Sequence, residues 1–174
     1  MTCPASLGSR SLCSAFLFLL LGPPGFSQSK QDARAALDVH NALRQDVGTP
    51  PLHWSARLAQ DAKGYARRLA RGNCRLRHAA VPEGENLWAS WGSPGHETNL
   101  PFRAASLSWG EEIRDYRGQP IGRGRFAAYG HYTQMIWKDT REVGMAMATG
   151  RNGCVVVVAR YWPAGNVMGD LPTH

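Results

Sequence analysis

The stretch from Val143 to Val158 constrains the fold of this 174-residue chain more than any other. Val143, Met145 and Met147 fall on every second position, the period of a strand with one buried face. Asn152-Gly153 supplies a hairpin turn, and Val155–Val158 is a continuous apolar strand. A hairpin of this kind needs something to cover it, and the earlier sequence is helical in pattern. Between Gln31 and Gln45, Ala33, Ala36, Leu37 and Leu43 lie at helical spacing until Gly48 and Pro50-Pro51 end the run. Ser55 is placed to cap a second helix with Leu58, Ala62, Tyr65, Ala66 and Leu69 on one face and Gly72 at its end. Pro101 suits the first turn of a third helix running to about Tyr116. Residues 86–89 read as a short extended piece, 118–130 as a glycine-rich surface loop, and 131–138 as a short helix. Helices first and a hairpin later predict an α+β domain in which helices cover an antiparallel sheet.

The N-terminus addresses the compartment. Arg10 precedes the apolar run Leu12–Leu21, which Gly22, Pro23 and Pro24 break. Ten residues fall short of the roughly 20 that span a bilayer as a helix. The segment 1–27 therefore reads as a signal peptide cleaved after Ser27, which predicts a secreted, extracellular product. About 147 residues remain, 28–174, enough for one domain and one core. Removing Arg10 with the leader leaves 19 basic against 13 acidic residues, a surplus of +6. Such a surface favours acidic lipid headgroups or cell-wall polymers. Export, and the lack of any segment resembling a nucleic-acid-binding motif, weigh against nucleic acid as a partner. Cys3 and Cys13 depart with the leader, leaving Cys74 and Cys154. An oxidising compartment favours a disulfide between them; two free buried thiols are the other arrangement.

Five segments resemble the CAP superfamily, which includes cysteine-rich secretory proteins, venom allergens and plant pathogenesis-related proteins. They are His40-Asn41 with Arg44, Gly48, Pro50-Pro51-Leu52 and Trp54; Leu76-Arg77-His78 with Gly84-Glu85-Asn86-Leu87; Trp109-Gly110-Glu111-Glu112-Ile113 with Tyr116; Gly130-His131-Tyr132-Thr133-Gln134-Met135-Ile136-Trp137 ending at Thr140; and Arg160-Tyr161-Trp162-Pro163-Ala164-Gly165-Asn166. The resemblance implies a three-layer α-β-α sandwich. It departs at Ala159, where many secreted members have a cysteine, and in lacking cysteines around His131. In those respects the chain is similar to the disulfide-poor Golgi-associated branch. That branch is myristoylated, whereas Thr2 here offers no acceptor. Cys74 looks like a plant-type cysteine that pairs with the C-terminal hairpin, on which Cys154 sits.

The resemblance also selects a site. His78, Glu85, Glu112 and His131 match the four residues that line the central cleft of CAP proteins. Their separations of 7, 27 and 19 residues would not have selected them. A helical wheel independently puts Glu112 at the border of an apolar stripe made by Phe102, Ala105, Trp109, Ile113 and Tyr116. A carboxylate there either meets a partner or reaches solvent. Imidazole with carboxylate suits Zn²⁺. The expectation is that His78 and His131 ligate a metal, not required by the fold, with Glu85 and Glu112 orienting them. His40 is expected to be structural.

Three functional classes follow. The superfamily's lipid and sterol binders, together with the basic surplus, imply a non-enzymatic binder of lipids, sterols or anionic membrane surfaces. Arg117, Arg123 and Arg125 with Ile121, Phe126 and Tyr129 form a candidate lipid loop, Phe126 and Tyr129 being its aromatic contacts. A defence or signalling ligand acting on a protein receptor is a second class. A metal-assisted hydrolase is the third, with neither HExxH nor GxSxG to support it.

Overall fold

A computed structural model describes residues 24–91 and 100–174. The apolar leader run lies outside the described residues.

Among the described residues the α-helices are α1 (Pro24–Asp46), α2 (Ala56–Arg71), α3 (Pro101–Gly110) and α4 (Gly130–Met135), and the strands are β1 (His53–Trp54), β2 (Gly84–Ser90), β3 (Glu142–Thr149) and β4 (Val155–Trp162). The sheet order is β1-β3-β4-β2. Both long pairings, β3–β4 and β2–β4, are antiparallel, as expected. The two-residue β1 departs from an antiparallel sheet: it joins β3 in parallel, which makes the sheet mixed. Its direction is free of any hairpin constraint, because the chain forms α2, β2, α3 and α4 before β3 begins.

Alternation along the strands sorts their side chains onto two faces, each with its own helices. Val143, Met145, Val157, Ala159 and Tyr161 pack with Ala36, Phe102, Trp109 and Met135 of α1, α3 and α4. Ala146, Val156, Val158 and Leu87 pack with Ala62, Tyr65, Ala66 and Leu69 of α2. The result is the α-β-α sandwich. Gly144 lets α2 approach closely, since a Cβ there would collide with backbone atoms of Ser55 and Ala59.

Local signals behave as read, with two exceptions. Pro101 begins α3, and Gly72 closes α2 through its N–H to Arg68 O and Leu69 O. Ser55 sits at the α2 N-cap, but its hydroxyl makes no capping bond. Buried Asp32 of α1 instead caps a different helix: its carboxylate accepts from the N–H groups of Phe102 (2.8 Å) and Arg103 (3.0 Å) at the start of α3. The third helix stops at Gly110 and tightens into a 3-10 turn at Glu111–Arg114. The extrapolated stripe therefore ends at Trp109, and Ile113 is exposed.

Cys74 and Cys154 form a disulfide with Cα atoms 6.3 Å apart. It ties the chain after α2 to the β3–β4 turn, where Gly153 takes the left-handed conformation (φ 77°) that closes a three-residue loop. Closing a loop of 80 residues in the unfolded chain corresponds to about 4–5 kcal/mol of chain entropy.

Candidate functional site

The four nominated residues form two imidazole–carboxylate pairs. His78 donates from Nδ1 to Glu85 Oε1 at 2.7 Å, and Ala79 N–H adds a second bond to that oxygen at 3.1 Å. Arg160 Nη2 lies 3.0 Å from Glu85 Oε2. This second contact is an ion pair without hydrogen-bond alignment, because Glu85 Oε2 and Arg160 Nη1 have no hydrogen-bond partner. The Glu85 and Arg160 side chains are 5% and 4% exposed, whereas that of His78 is 65% exposed. Arg160 sits directly opposite Glu85 in the β2–β4 register, and its guanidinium lies 5.3 Å from the Tyr65 ring centroid on α2.

The second pair is built at the start of α4. Glu112 Oε2 accepts the N–H groups of His131 (2.9 Å) and Tyr132 (3.3 Å), satisfying donors of the first helical turn. Glu112 Oε1 accepts from His131 Nδ1 at 2.6 Å. The Trp109 ring stacks on the imidazole with centroids 6.0 Å apart. The 3-10 turn after α3, more than the stripe border inferred from 100° periodicity, delivers Glu112 to this position.

The edge strand β2 contacts both pairs. Glu85 faces Arg160 and α2, while its neighbour Asn86 faces the other side and donates to His131 O (3.0 Å) and Tyr161 Oη (3.2 Å). Tyr161 Oη in turn lies 2.8 Å from His40 Nε2. His40 Nδ1 is 2.8 Å from Ala36 O, so Nδ1 carries the proton and Nε2 accepts from the tyrosine. A buried polar chain thus links α1, β4, β2 and α4 beneath the site, and His40 has the structural role expected of it.

Burial holds the His40 pKa down at about 4, against an ordinary 6.5; the Ala36 carbonyl pulls it up and Arg44 pushes it down further. The unfolded chain therefore takes up this proton between pH 6.5 and 4 while the folded chain does not. Stability is fully present above pH 6.5 and falls by on the order of 3 kcal/mol on acidification to pH 4. Asp32, whose carboxyl is raised by burial against the pull of its backbone bonds, works in the opposite sense. Urea unfolding across this range should show a shallower pH slope for His40→Gln than for the parent. Equal slopes would remove His40 from the acid response.

Donor types at the two pairs suit a divalent metal: each imidazole is oriented through Nδ1, leaving Nε2 free to ligate. Ligand number does not make a closed site. Among the described residues no group of three or more His, Cys, Asp or Glu side chains is spaced to hold a metal ion.

The candidate lipid loop is partly interior. Tyr129 is buried with Ile121 and Trp137, and its hydroxyl donates to Arg123 O at 2.6 Å. The aromatic contact expected of Tyr129 is therefore corrected: it braces the loop from within. Phe126 packs edge-on against Tyr129 and stays 37% exposed.

Sequence reasoning missed Arg160 as part of the site. A charged residue interrupting the apolar strand Val155–Tyr161 was the available signal.

Residues 37–161 match the family model described as the cysteine-rich secretory protein family, CAP. The chain belongs to the CAP family. It is 38% identical over 151 residues to the human Golgi-associated plant pathogenesis-related protein 1, covering 84% of this chain and 92% of that one. It is 36% identical over 156 residues to pathogenesis-related protein 1C of Nicotiana tabacum, covering 90% and 88%. Among solved structures, that titled NaASP2 with Zn²⁺ superposes with a TM-score of 0.72 at 24% identity, over 88% of this chain and 90% of that one. This likeness shows the shared CAP fold.

Proposed function

We propose that this CAP protein is an exported, non-enzymatic binder of anionic or sterol-containing lipid surfaces. The observation that carries the reading is the surface of the loop leading into α4. There Arg117, Arg123 and Arg125 surround a depression of about 360 Å³ whose lining includes one acid, Asp115. The half-exposed Phe126 ring belongs to the same loop. Basic side chains beside an aromatic ring suit a headgroup layer with an apolar layer beneath. Among the described residues no helix is long and apolar enough to cross a membrane. The leader and the Cys74–Cys154 disulfide support export.

The carboxylates weigh against hydrolysis. Both oxygens of Glu112 and Oε1 of Glu85 are hydrogen-bonded, and Glu85 Oε2 is buried against the Arg160 guanidinium, so neither carboxylate stands ready to activate water. A divalent cation belongs to the proposal in a narrow form, as a weak ligand of His78 or His131 Nε2 with water completing its shell. Equal zinc content in the protein and in a His78→Ala/His131→Ala variant would remove that part.

Liposome co-sedimentation tests the main reading. Phosphatidylcholine vesicles carrying phosphatidylserine, with and without cholesterol, should retain the protein better than phosphatidylcholine alone. At about 1 kcal/mol per well-placed arginine, Arg123→Gln/Arg125→Gln should weaken binding by roughly tenfold or more. Indifference of the protein to vesicle charge and to cholesterol would sink the proposal.

A further inference from the structure

A larger concavity than the Phe126-loop depression lies elsewhere, between the C-terminal half of α2 and the following segment. It is a groove of about 820 Å³, within the size range of small-ligand sites. Arg68, Arg75 and Arg77 line it, with His78 at its margin, and no carboxylate is among its lining residues. Glu85, Glu112 and His131 are not part of it. Arg68 lies over the Tyr65 ring at 5.0 Å and sits in the last turn of α2, where a cation also complements the helix dipole. Arg75 and Arg77 lie beyond the helix and have no such structural reason. Neither guanidinium is engaged by an acid among the described residues, although Arg57, Arg114 and Arg160 all are.

The groove is also held in shape. Asn73 and Cys74 both take left-handed backbone conformations (φ 55°), a costly pair for residues other than glycine. The Cys74 disulfide anchors them to the hairpin, and Cys74 N–H bonds Leu69 O. Tyr65 donates its hydroxyl to Arg77 O, pinning the far side. Leu76 and Val81, both exposed, add an apolar margin to the cationic interior.

We propose that this groove is a binding site for a phosphate ester, with Arg68, Arg75 and Arg77 holding the phosphoryl oxygens and Leu76 and Val81 receiving an adjoining apolar portion. Guanidinium groups match phosphate oxygens through paired N–H donors, and a concave, prearranged cluster favours a discrete headgroup over a flat surface. The phosphoryl group is shared by an anionic phospholipid and by a free phosphorylated metabolite. The site stands on a surface separate from the loop near Phe126 and does not depend on that reading.

Calorimetric titration of the full mature protein tests it with two probes, glycerol 3-phosphate and monomeric dioctanoyl phosphatidic acid. Binding of both would assign the site to free phosphate esters as well as lipid; binding of the lipid alone would assign it to a headgroup. In either case Arg75→Gln/Arg77→Gln should lose roughly tenfold or more in affinity, and amide shifts on titration should centre on 68–81. Arg123→Gln/Arg125→Gln, an equal change of charge on the other surface, should leave this binding intact while weakening vesicle retention. No binding of either probe, or equal losses in the two double variants, overturns the proposal.

Discussion

Replacing Arg44 by Met should destabilise the protein by about 4 kcal/mol or more, measured by urea unfolding. Arg44 is fully buried and meets no carboxylate. Its guanidinium donates to four backbone carbonyls: Nε to Pro50 O (2.6 Å), Nη1 to Met135 O and Trp137 O (both 2.9 Å), and Nη2 to Thr140 O (3.0 Å). These carbonyls belong to the turn after α1, the last residue of α4 and the segment that follows it, which the side chain staples together. Each carbonyl left without a donor costs about 1–3 kcal/mol. Burial, with Arg141 nearby, lowers the Arg44 pKa to about 10, opposed by Tyr161, so the side chain stays charged at neutral pH. Lysine keeps the charge but loses the planar fork, so Arg44→Lys should recover only part of the loss. A change below about 1 kcal/mol for Arg44→Met would show that water replaces the donors.

Arg160→Met should cost about 3–5 kcal/mol, because it strands the buried Glu85 carboxylate. The double variant Glu85→Gln/Arg160→Met should lie well short of the sum of the single losses, since no uncompensated charge remains. His78 cannot substitute for the guanidinium, because it engages the opposite carboxylate oxygen from a largely exposed position. Additive losses in urea titrations would mean that the two side chains do not interact energetically.

Much of the layering was legible from local pattern. The β3–β4 hairpin, the apolar face of α2 and the proline at the start of α3 are written in residues a few positions apart. Family resemblance selected the four site residues, with a helical wheel supporting Glu112 alone, and Arg160 was not among them. Arg160 meets Glu85 across 75 positions, and Asp32 caps a helix that begins 69 residues later; no periodicity encodes either contact. Tyr129 misled for a related reason. Glycine-rich surroundings mark a loop, but the small core under it, with Ile121 and Trp137, appears only once the chain has folded back. Ile113 erred through extrapolation of a helix past the residue where it tightens.

Consecutive residues of an extended chain point in opposite directions, and β2 places its carboxylate at 85 and its amide at 86. Sliding this strand by one position would thrust the acid among His40 and Tyr161 and leave Asn86 facing a lone guanidinium. Such a misalignment would be punished electrostatically from both sides at once. The edge strand thus carries its own key to correct alignment, written in polar rather than greasy side chains.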